Sequence, residues 1–254
     1  MNIRPLGRTG LEVSPLGFGA FKIGRNQGIK YQHGYELPTD SEVEELMAEV
    51  LGLGIRYIDT APAYGVSEER LGRVLDDNES RLVISTKVGE TYQDGVSRYD
   101  FSPEATRASV DRSARRLGRD VLDVVFVHSD GNDLVIQESS GVVETLLSLK
   151  AEGRVRAIGF SGKTVAGARR SLEWADVIMF EFHAEDQSHE PVIREAHRLG
   201  IGVVVKKGLA SGHLPAAEAI RFVVGHPAVD TLIVGSLNAD HLAENVAVVT
   251  SLDG

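Results

Sequence analysis

Short runs of β-branched and apolar residues recur along the chain and alternate with stretches that have a helical apolar periodicity. The strand-like runs occupy 14–19, 55–59, 81–86, 123–128, 156–161, 176–180, 202–206 and 230–235. Several runs are apolar at consecutive positions, as expected for strands that are covered on both faces in a parallel sheet. The helical patterns cover 41–53, 67–76, 103–117, 140–152, 165–173, 189–199, 214–224 and 239–250. Eight strands alternating with eight helices predict an α/β fold, a closed (β/α)8 TIM barrel.

The length of the chain also fits this architecture. With 254 residues it has the usual size of one barrel, and no linker, repeat or low-complexity tract divides it. We therefore predict a single barrel domain over residues 1–254. The segment IRPLGRTGLEV, residues 3–13, places Arg-Thr-Gly between two short extended runs and predicts an N-terminal β-hairpin that plugs the barrel bottom. Residues 22–40 are rich in glycine and polar residues and predict a long loop.

A doubly wound open sheet is the alternative architecture for alternating strands and helices. Sheets of that kind that bind dinucleotides carry a G-x-G-x-x-G turn, whose glycines let the backbone approach the ligand closely. The nearest matches here, at 17–19 and 52–54, lack the third glycine. We interpret them as turn glycines, which favours the closed barrel.

Composition excludes several kinds of chemistry and partner. The absence of cysteine rules out disulfides, thiol nucleophiles and thiolate metal sites, and it fits a reducing compartment. A net charge of −10 disfavours nucleic acid and anionic membranes as partners. The sequence shows no signal-peptide pattern and no apolar run of the roughly 20 residues that span a membrane. These features together predict a cytoplasmic protein. We also predict no metal site, because the histidines show no metal-ligand grouping.

Four side chains that carry chemistry stand at the ends of three successive predicted strands. They are Asp59 and Tyr64 after the second strand, Lys87 after the third and His128 at the end of the fourth. Reactive groups of a (β/α)8 barrel lie at the carboxyl ends of its strands. Because a buried aspartate, lysine or histidine is costly unless it is paired, we expect these side chains to form one partnered site.

These four side chains suit the reduction of a carbonyl group. A tyrosine hydroxyl has a pKa of about 10, and a neighbouring ammonium lowers it. Lys87 can supply that charge, Asp59 can keep Lys87 protonated and in place, and His128 can donate to the carbonyl oxygen. Hydride attack develops negative charge on that oxygen, which these donors stabilise. Since no side chain supplies hydride, a cofactor must. The set predicts a carbonyl reductase in which Tyr64 is the proton donor.

Motifs along nearly the whole chain resemble the aldo-keto reductase family. In chain order they are RPLGRTGLEVSPLGFGAF, GIRYIDTAPAYGVSEERLG, STKVG, RSARRLGRDVLDVVFVH, RAIGFSG, HPAVDTLIVGS and HLAENV. Each motif is moderately specific, and their occurrence in register is highly specific. The resemblance implies a nicotinamide cofactor, a small-molecule carbonyl substrate and a catalytic tetrad of Asp59, Tyr64, Lys87 and His128.

Three positions that hold the nicotinamide in this family differ here. The family often has Ser-Asn where this chain has Ser161-Gly162, so the asparagine that binds the nicotinamide amide is absent. Met179 replaces a glutamine, and Lys206, followed by Lys207, replaces an aromatic ring that stacks on the nicotinamide. These differences indicate a divergent, bacterial-type branch. Two structural lysines, one snorkelling and one paired, are the alternative interpretation of Lys206 and Lys207.

The resemblance also implies how the diphosphate of the cofactor is held. Gly235-Ser236 precedes Asn238, a predicted helix cap, and free backbone N–H groups at a helix start attract phosphate. Further predicted cofactor contacts are Gly19, Phe21 and Leu209.

The adenosine end of the cofactor would contact the last helix. Glu244 and Asn245 match positions that typically hold the adenine, and His241 takes the place of an arginine that often binds the 2′-phosphate. The resemblance favours NADP(H), the usual cofactor of the family. Histidine is a weaker and pH-dependent partner of anions, which leaves NAD(H) as the alternative.

Two other classes of protein stay open on the sequence. A Schiff-base lyase or aldolase could use Lys87 or Lys206, because a strand-end amine with a lowered pKa forms imines. A cofactor-binding regulatory protein without turnover could share the fold, since fold does not fix function. The segments 129–141 and 207–215, after the fourth and seventh strands, are short. They predict an open, shallow substrate site with modest affinity for small aldehydes.

Overall fold

Eight parallel strands close into a barrel in the computed structural model of the chain, which describes residues 1–28, 34–75 and 81–253. The strands of the described residues are β1 (Arg4–Pro5), β2 (Glu12–Val13), β3 (Leu16–Gly19), β4 (Tyr57–Asp59), β5 (Val83–Val88), β6 (Glu90–Gln93), β7 (Val96–Tyr99), β8 (Leu122–His128), β9 (Val155–Ser161), β10 (Val177–Glu181), β11 (Gly202–Lys206) and β12 (Thr231–Val234). The order around the barrel is β3-β4-β5-β8-β9-β10-β11-β12, and β12 closes on β3 with Leu232 opposite Leu16. The predicted (β/α)8 barrel is confirmed.

Helices cover the outside of the barrel. They are α1 (Asp40–Gly52), α2 (Ser67–Val74), α3 (Pro103–Leu117), α4 (Asp133–Ser139), α5 (Val142–Ala151), α6 (Val165–Ser171), α7 (Glu190–Leu199), α8 (Ala216–Val224) and α9 (Ala239–Thr250). Thr39 begins α1 with a capping box to Glu42, and Ser102 caps α3 by accepting from the Ala105 amide. Over the described ranges, no helix is long and apolar enough to cross a bilayer.

The predicted strands and helices agree with the observed ones to within two residues at each end. Agreement follows from caps and stops that the sequence displays, such as Gly118 and Gly200, which end helices α3 and α7 in the left-handed conformation. Residue 76, the end of a predicted helix, and residues 29–33 of the predicted loop 22–40 lie outside the described residues. That loop also begins later than expected, because a 3₁₀ helix covers Ala20–Ile23.

The N-terminal hairpin of β1 and β2 plugs the barrel bottom, as predicted. Leu6, Leu11 and Val13 are buried in one cluster with Tyr57 and Phe126 of the barrel interior. The turn of the hairpin contacts the amino end of β11, where the Arg8 amide donates to the Gly200 carbonyl at 2.8 Å. The hairpin therefore completes the hydrophobic core from below and leaves the opposite rim for the site.

Two elements were not predicted. Residues 90–99, after β5, form the hairpin of β6 and β7, which we call the rim hairpin. Its turn is Asp94-Gly95, with φ of 52° and 82°, the two positive values of a type I′ turn. The segment after β8, expected to be a short loop, folds into α4. The loop on this side of the barrel is therefore more structured than the sequence analysis proposed.

We predict that Leu6→Ala lowers the free energy of unfolding by about 2–5 kcal/mol, because a fully buried leucine leaves a cavity in the plug. Urea denaturation followed by circular dichroism measures the loss. The matched control is Ile3→Ala, since Ile3 is 46% exposed in the same segment and its truncation is expected to change stability by less than about 0.5 kcal/mol. Equal effects of the two substitutions would show that the hairpin does not support the core.

Candidate active site

A buried ion pair links the ends of β4 and β5. Nζ of Lys87 donates to the two carboxylate oxygens of Asp59 at 2.8 and 2.7 Å and to the Thr60 carbonyl at 2.8 Å. Ser85 donates to the same carboxylate at 2.7 Å. Burial acts to lower the pKa of Lys87, but Asp59 and Tyr64 outweigh it, and the net pKa is raised. Lys87 therefore stays charged in an almost completely buried position.

Tyr64 ends the 3₁₀ turn Pro62–Tyr64 and lies against this ion pair. Nζ of Lys87 is 4.6 Å from the centroid of its ring, and the ring of Phe21 packs edge-on at 5.0 Å. Burial raises the pKa of Tyr64 to about 12, although the Lys87 ammonium lowers it. Lys87 therefore acts in the expected direction, but the net pKa is raised because desolvation of the phenolate outweighs the charge. Tyr64 is protonated at neutral pH, the form required of a proton donor.

His128, at the end of β8, completes the predicted set. Its ring lies 6.2 Å from that of Tyr64, centroid to centroid and nearly perpendicular. Burial lowers the pKa of His128; Glu90 opposes this, whereas Lys87 and Lys206 add to it. The fold therefore brings Asp59, Tyr64, Lys87 and His128 to one place on the rim.

The rim hairpin forms a wall beside Tyr64 that the sequence analysis missed. The guanidinium of Arg25 stacks 3.4 Å from the ring centroid of Tyr92 on β6 and donates to the Ala63 carbonyl at 3.0 Å. Arg25 thereby ties the hairpin to the turn that carries Tyr64. The dipeptide Asp94-Gly95 between two alternating runs was the signal that could have revealed this element.

Two of the positions at which this chain differs from the family's nicotinamide site, Gly162 and Lys206, are hydrogen-bonded to each other at the ends of β9 and β11. Nζ of Lys206 donates to Ser161 Oγ at 2.8 Å and to the Gly162 carbonyl at 3.1 Å. A Cβ atom on Gly162 would lie 2.9 Å from the ring of Phe160 and 3.1 Å from the Asp133 carboxylate. A larger residue at 162 would therefore displace Phe160 or Asp133. Lys206 bonds to the carbonyl of this glycine, so the two replaced positions are in direct contact.

Lys206 and Lys207 differ in environment. Burial lowers the pKa of Lys206 to about 7, and the charges of Lys207 and Lys87 add to the shift. Lys207, at φ of 53°, turns outward and pairs with Glu181 at 2.5 Å. The interpretation of one snorkelling and one paired lysine is correct for Lys207, which is the paired one. Lys206 does not snorkel to solvent but bonds to Ser161 and Gly162, with no carboxylate partner among its hydrogen bonds.

Other predicted cofactor residues are spread along the barrel. Met179 is 1% exposed and packs in the barrel interior with Tyr57 and Phe126, so its side chain does not reach the rim surface. Phe21 contacts Tyr64, and Leu209 is half-buried beside the 3₁₀ turn that follows β11.

The start of α9 fits a diphosphate. Asn238 caps the helix by accepting from the amides of Asp240 and His241 at 2.8 and 3.3 Å. Within the described part of the chain, the amides of Gly235 and Ser236 donate to no protein acceptor. Free amides at a helix start are suited to phosphate oxygens, so this end of the rim fits the diphosphate of the predicted cofactor.

The remaining residues that were predicted to contact the cofactor lie on α9 and at the end of β3. His241 and Glu244 are exposed on α9, whereas Asn245 is buried. A Cβ atom on Gly235 would lie 3.0 Å from the Gly19 carbonyl, which shows how closely the ends of β3 and β12 approach.

Comparison with known proteins identifies the class. The sequence pattern of the Aldo/keto reductase family matches residues 15–219, most of the chain, and the chain belongs to that family. A crystal structure of a Pseudomonas aeruginosa protein assigned to the aldo-keto reductases is 46% identical, with a TM-score of 0.91, and the match covers 99% of this chain and 96% of that one. The holo form of an aldo-keto reductase from Bacillus halodurans is 26% identical, with a TM-score of 0.83, over 98% and 91% of the two chains.

Curated relatives are oxidoreductases. L-galactose dehydrogenase of Arabidopsis thaliana is 28% identical over 100% of this chain and 89% of its own length. The NADH-specific methylglyoxal reductase of Escherichia coli is 28% identical over 87% of this chain and 71% of its own. The protein is an oxidoreductase that reduces carbonyl groups with a nicotinamide cofactor. The comparisons do not favour the Schiff-base lyase or the regulatory protein.

We predict that the Lys206 amine titrates near pH 7 and that Lys207→Met raises its pKa, because the neighbouring ammonium disfavours the charged form. NMR of lysine labelled at Cε and Nζ follows the titration, and Lys206→Arg assigns the signal by deleting it. Lys150→Met is the control, since Lys150 pairs with Asp176 elsewhere on the barrel and its loss should leave Lys206 unchanged. A midpoint above pH 9 would contradict the buried, unpaired environment.

Proposed function

We propose that Tyr64 protonates the carbonyl oxygen while Lys87, Asp59 and His128 support that step. The observation that carries the proposal is the buried Asp59–Lys87 ion pair 4.6 Å from the ring of Tyr64. The cofactor supplies hydride to the carbonyl carbon when it is bound. The side chains of this protein provide the proton, the electrostatic support and the orientation.

Tyr64 acts as the acid because its high pKa keeps the phenol protonated until the carbonyl oxygen becomes basic. As hydride reaches the carbon, the oxygen gains alkoxide character and takes the Tyr64 proton. The negative charge then lies on the phenolate, next to the Lys87 ammonium, which Asp59 holds in place. The ion pair is already formed in the free protein, so little reorganisation accompanies proton transfer.

NADP(H) is the cofactor that we propose, with the amides of Gly235 and Ser236 at the diphosphate. Lys206 would lie at the nicotinamide in place of the aromatic ring of the family, and its two bonds to Ser161 and Gly162 orient it there. His241 would meet the 2′-phosphate at the exposed end of α9. The NADH-specific relative keeps NAD(H) as the alternative.

The substrate that we propose is a small carbonyl compound that enters an open site. Tyr92 of the rim hairpin, with the guanidinium of Arg25 stacked on its ring, supplies one wall. The names of relatives point to an aldose, pyridoxal and methylglyoxal as first test compounds. We also propose a cytoplasmic location without nucleic-acid partners, supported by the net charge of −10 and the absence of cysteine.

Tyr64→Phe is expected to reduce kcat for methylglyoxal reduction by about 10²–10⁴-fold and to leave cofactor affinity nearly unchanged, because only the transferable proton is removed. Steady-state kinetics and cofactor titration measure the two quantities. Tyr57→Phe is the matched control, since the Tyr57 hydroxyl is buried in the barrel interior without a hydrogen-bond partner in the described structure. Retention of more than a tenth of the wild-type kcat by Tyr64→Phe would rule out the proton-donor role.

His241→Arg is expected to tighten NADPH binding by about threefold to tenfold and to leave NADH binding unchanged, because arginine carries its charge at every working pH. Trp174 fluorescence reports binding, since its ring packs edge-on at 6.3 Å against Phe160, which adjoins Gly162. Titrations with the two cofactors, run separately, give the two affinities. If NADPH and NADH bind equally before and after the substitution, His241 does not face a 2′-phosphate.

A further inference from the structure

Glu90, the first residue of the rim hairpin, is a buried carboxylate that the mechanism above does not use. It is 8% exposed and follows the end of β5 by two residues, with Gly89 between them at φ of 102°. Ser97 on β7 donates to Oε1 of Glu90 at 2.7 Å, and the Tyr99 hydroxyl on the same strand also interacts with this carboxylate. A buried carboxylate is costly unless it has such partners.

Glu90 also faces His128. Oε2 of Glu90 lies 2.9 Å from Nδ1 of the His128 ring. Nδ1 is buried and forms no well-aligned hydrogen bond with any described residue, so a small rotation of the ring is needed to point an N–H at this oxygen. Burial opposes ionisation of Glu90, but His128, Ser97 and Arg25 outweigh it and lower its pKa to about 2. Two lone pairs repel at 2.9 Å, and a charged carboxylate therefore requires a proton on Nδ1.

A proton on Nδ1 determines what the other ring nitrogen can do. Neutral imidazole carries one N–H, so a ring protonated on Nδ1 presents a lone pair at Nε2. We propose that Glu90 is a positioning residue that holds the proton of His128 on Nδ1, so that Nε2 accepts a hydrogen bond when the ring is neutral and donates one only when it is protonated. This inference rests on the proposed role of His128 beside Tyr64.

Charged groups on the neighbouring elements set the pH at which His128 changes between these two states. Lys87 on β5 and Lys206 on β11 disfavour the imidazolium, and Glu90 on β6 favours it. Tyr64 and Tyr99 stay neutral, each with a pKa of about 12, and the charge of Arg25 acts on Glu90. Since burial lowers the pKa of His128, the ring is neutral at neutral pH and Nε2 is an acceptor there.

The two states suit opposite directions of the reaction. A neutral Nε2 accepts from the hydroxyl of an alcohol, or from a second hydroxyl of a polyhydroxy substrate, and so orients an alcohol for oxidation. A protonated Nε2–H donates to a carbonyl oxygen and stabilises the charge that develops there during reduction. Glu90 would therefore make the reduction prefer acidic pH, with no proton leaving His128 during turnover.

Long-range ¹H–¹⁵N NMR of the histidine ring tests the tautomer in the full chain without cofactor. Above the pH at which His128 titrates, we expect the wild type to show a protonated Nδ1 and an unprotonated Nε2. In Glu90→Gln we expect the Nε2–H form to become the major tautomer, because an amide no longer requires a donor. Glu90→Asp should restore the Nδ1–H form in part. Glu144→Gln, which removes an exposed acid on α5, is the control for charge change alone.

Either of two NMR results overturns the proposal: a wild-type ring protonated on Nε2, or the same tautomer in wild type and Glu90→Gln. Amide spectra that match outside the rim hairpin establish that Glu90→Gln is folded. The second readout is the pH profile of kcat/KM for reduction, which should fall by about tenfold per pH unit above the His128 pKa and become flatter in Glu90→Gln. Lys206, with a pKa of about 7, adds its own titration to the profile of both proteins. A pH profile that does not differ between wild type and Glu90→Gln also counts against the role of Glu90.

Failure of the proposed reductase function would give a different result. A protein that binds no cofactor and reduces no carbonyl would still show the tautomer that Glu90 sets. Conversely, an active reductase with an Nε2–H tautomer would retain the Tyr64 mechanism and exclude the role of Glu90.

Discussion

Closure of β12 onto β3 is the constraint on which the site depends. The pairing of Leu232 with Leu16 joins strands that are more than two hundred residues apart and makes the sheet continuous. Because every barrel strand is parallel, their carboxyl ends form one rim. Tyr64 from the β4 turn, Lys87 from β5 and His128 from β8 therefore converge without long loops. Closure also brings Gly235 beside Gly19, which places the start of α9 at the same rim.

The buried ion pair of Asp59 and Lys87 carries a large desolvation cost at this rim. Two charges that leave water lose several kcal/mol of solvation each, and the loss is offset only when the geometry satisfies them. Here Lys87 has three acceptors, and Ser85 supplies a further donor to Asp59. Such a pair contributes little to stability compared with an apolar pair of similar shape. Its position next to Tyr64 is the one that the proposed proton transfer requires.

The sequence predicted the barrel and the meeting of Asp59, Tyr64, Lys87 and His128 at its rim because both depend on strong local signals. Strand runs, caps and stop glycines such as Gly118 and Gly200 determine the elements, and the order of the elements determines which residues reach the rim. The pKa of Tyr64 was not predictable in this way, since desolvation depends on tertiary packing that no local pattern shows. Glu90 was missed for a related reason: the type I′ turn at 94–95 was present in the sequence but was not used, so the carboxylate had no assigned neighbour.

The two lysines at the rim show how partners, rather than residue type, set chemistry. Lys87 and Lys206 both lie near the carboxyl ends of barrel strands and are both desolvated, but their pKa values shift in opposite directions. Lys87 has a carboxylate partner, whereas Lys206 bonds to a hydroxyl and a carbonyl, and Lys207 holds the nearby Glu181. A lowered pKa is the property that an imine-forming lysine needs. In Lys206 it follows from burial and from the charges of Lys207 and Lys87. Under the proposed placement of the cofactor, this amine would lie at the nicotinamide, where Ser161 and Gly162 hold it.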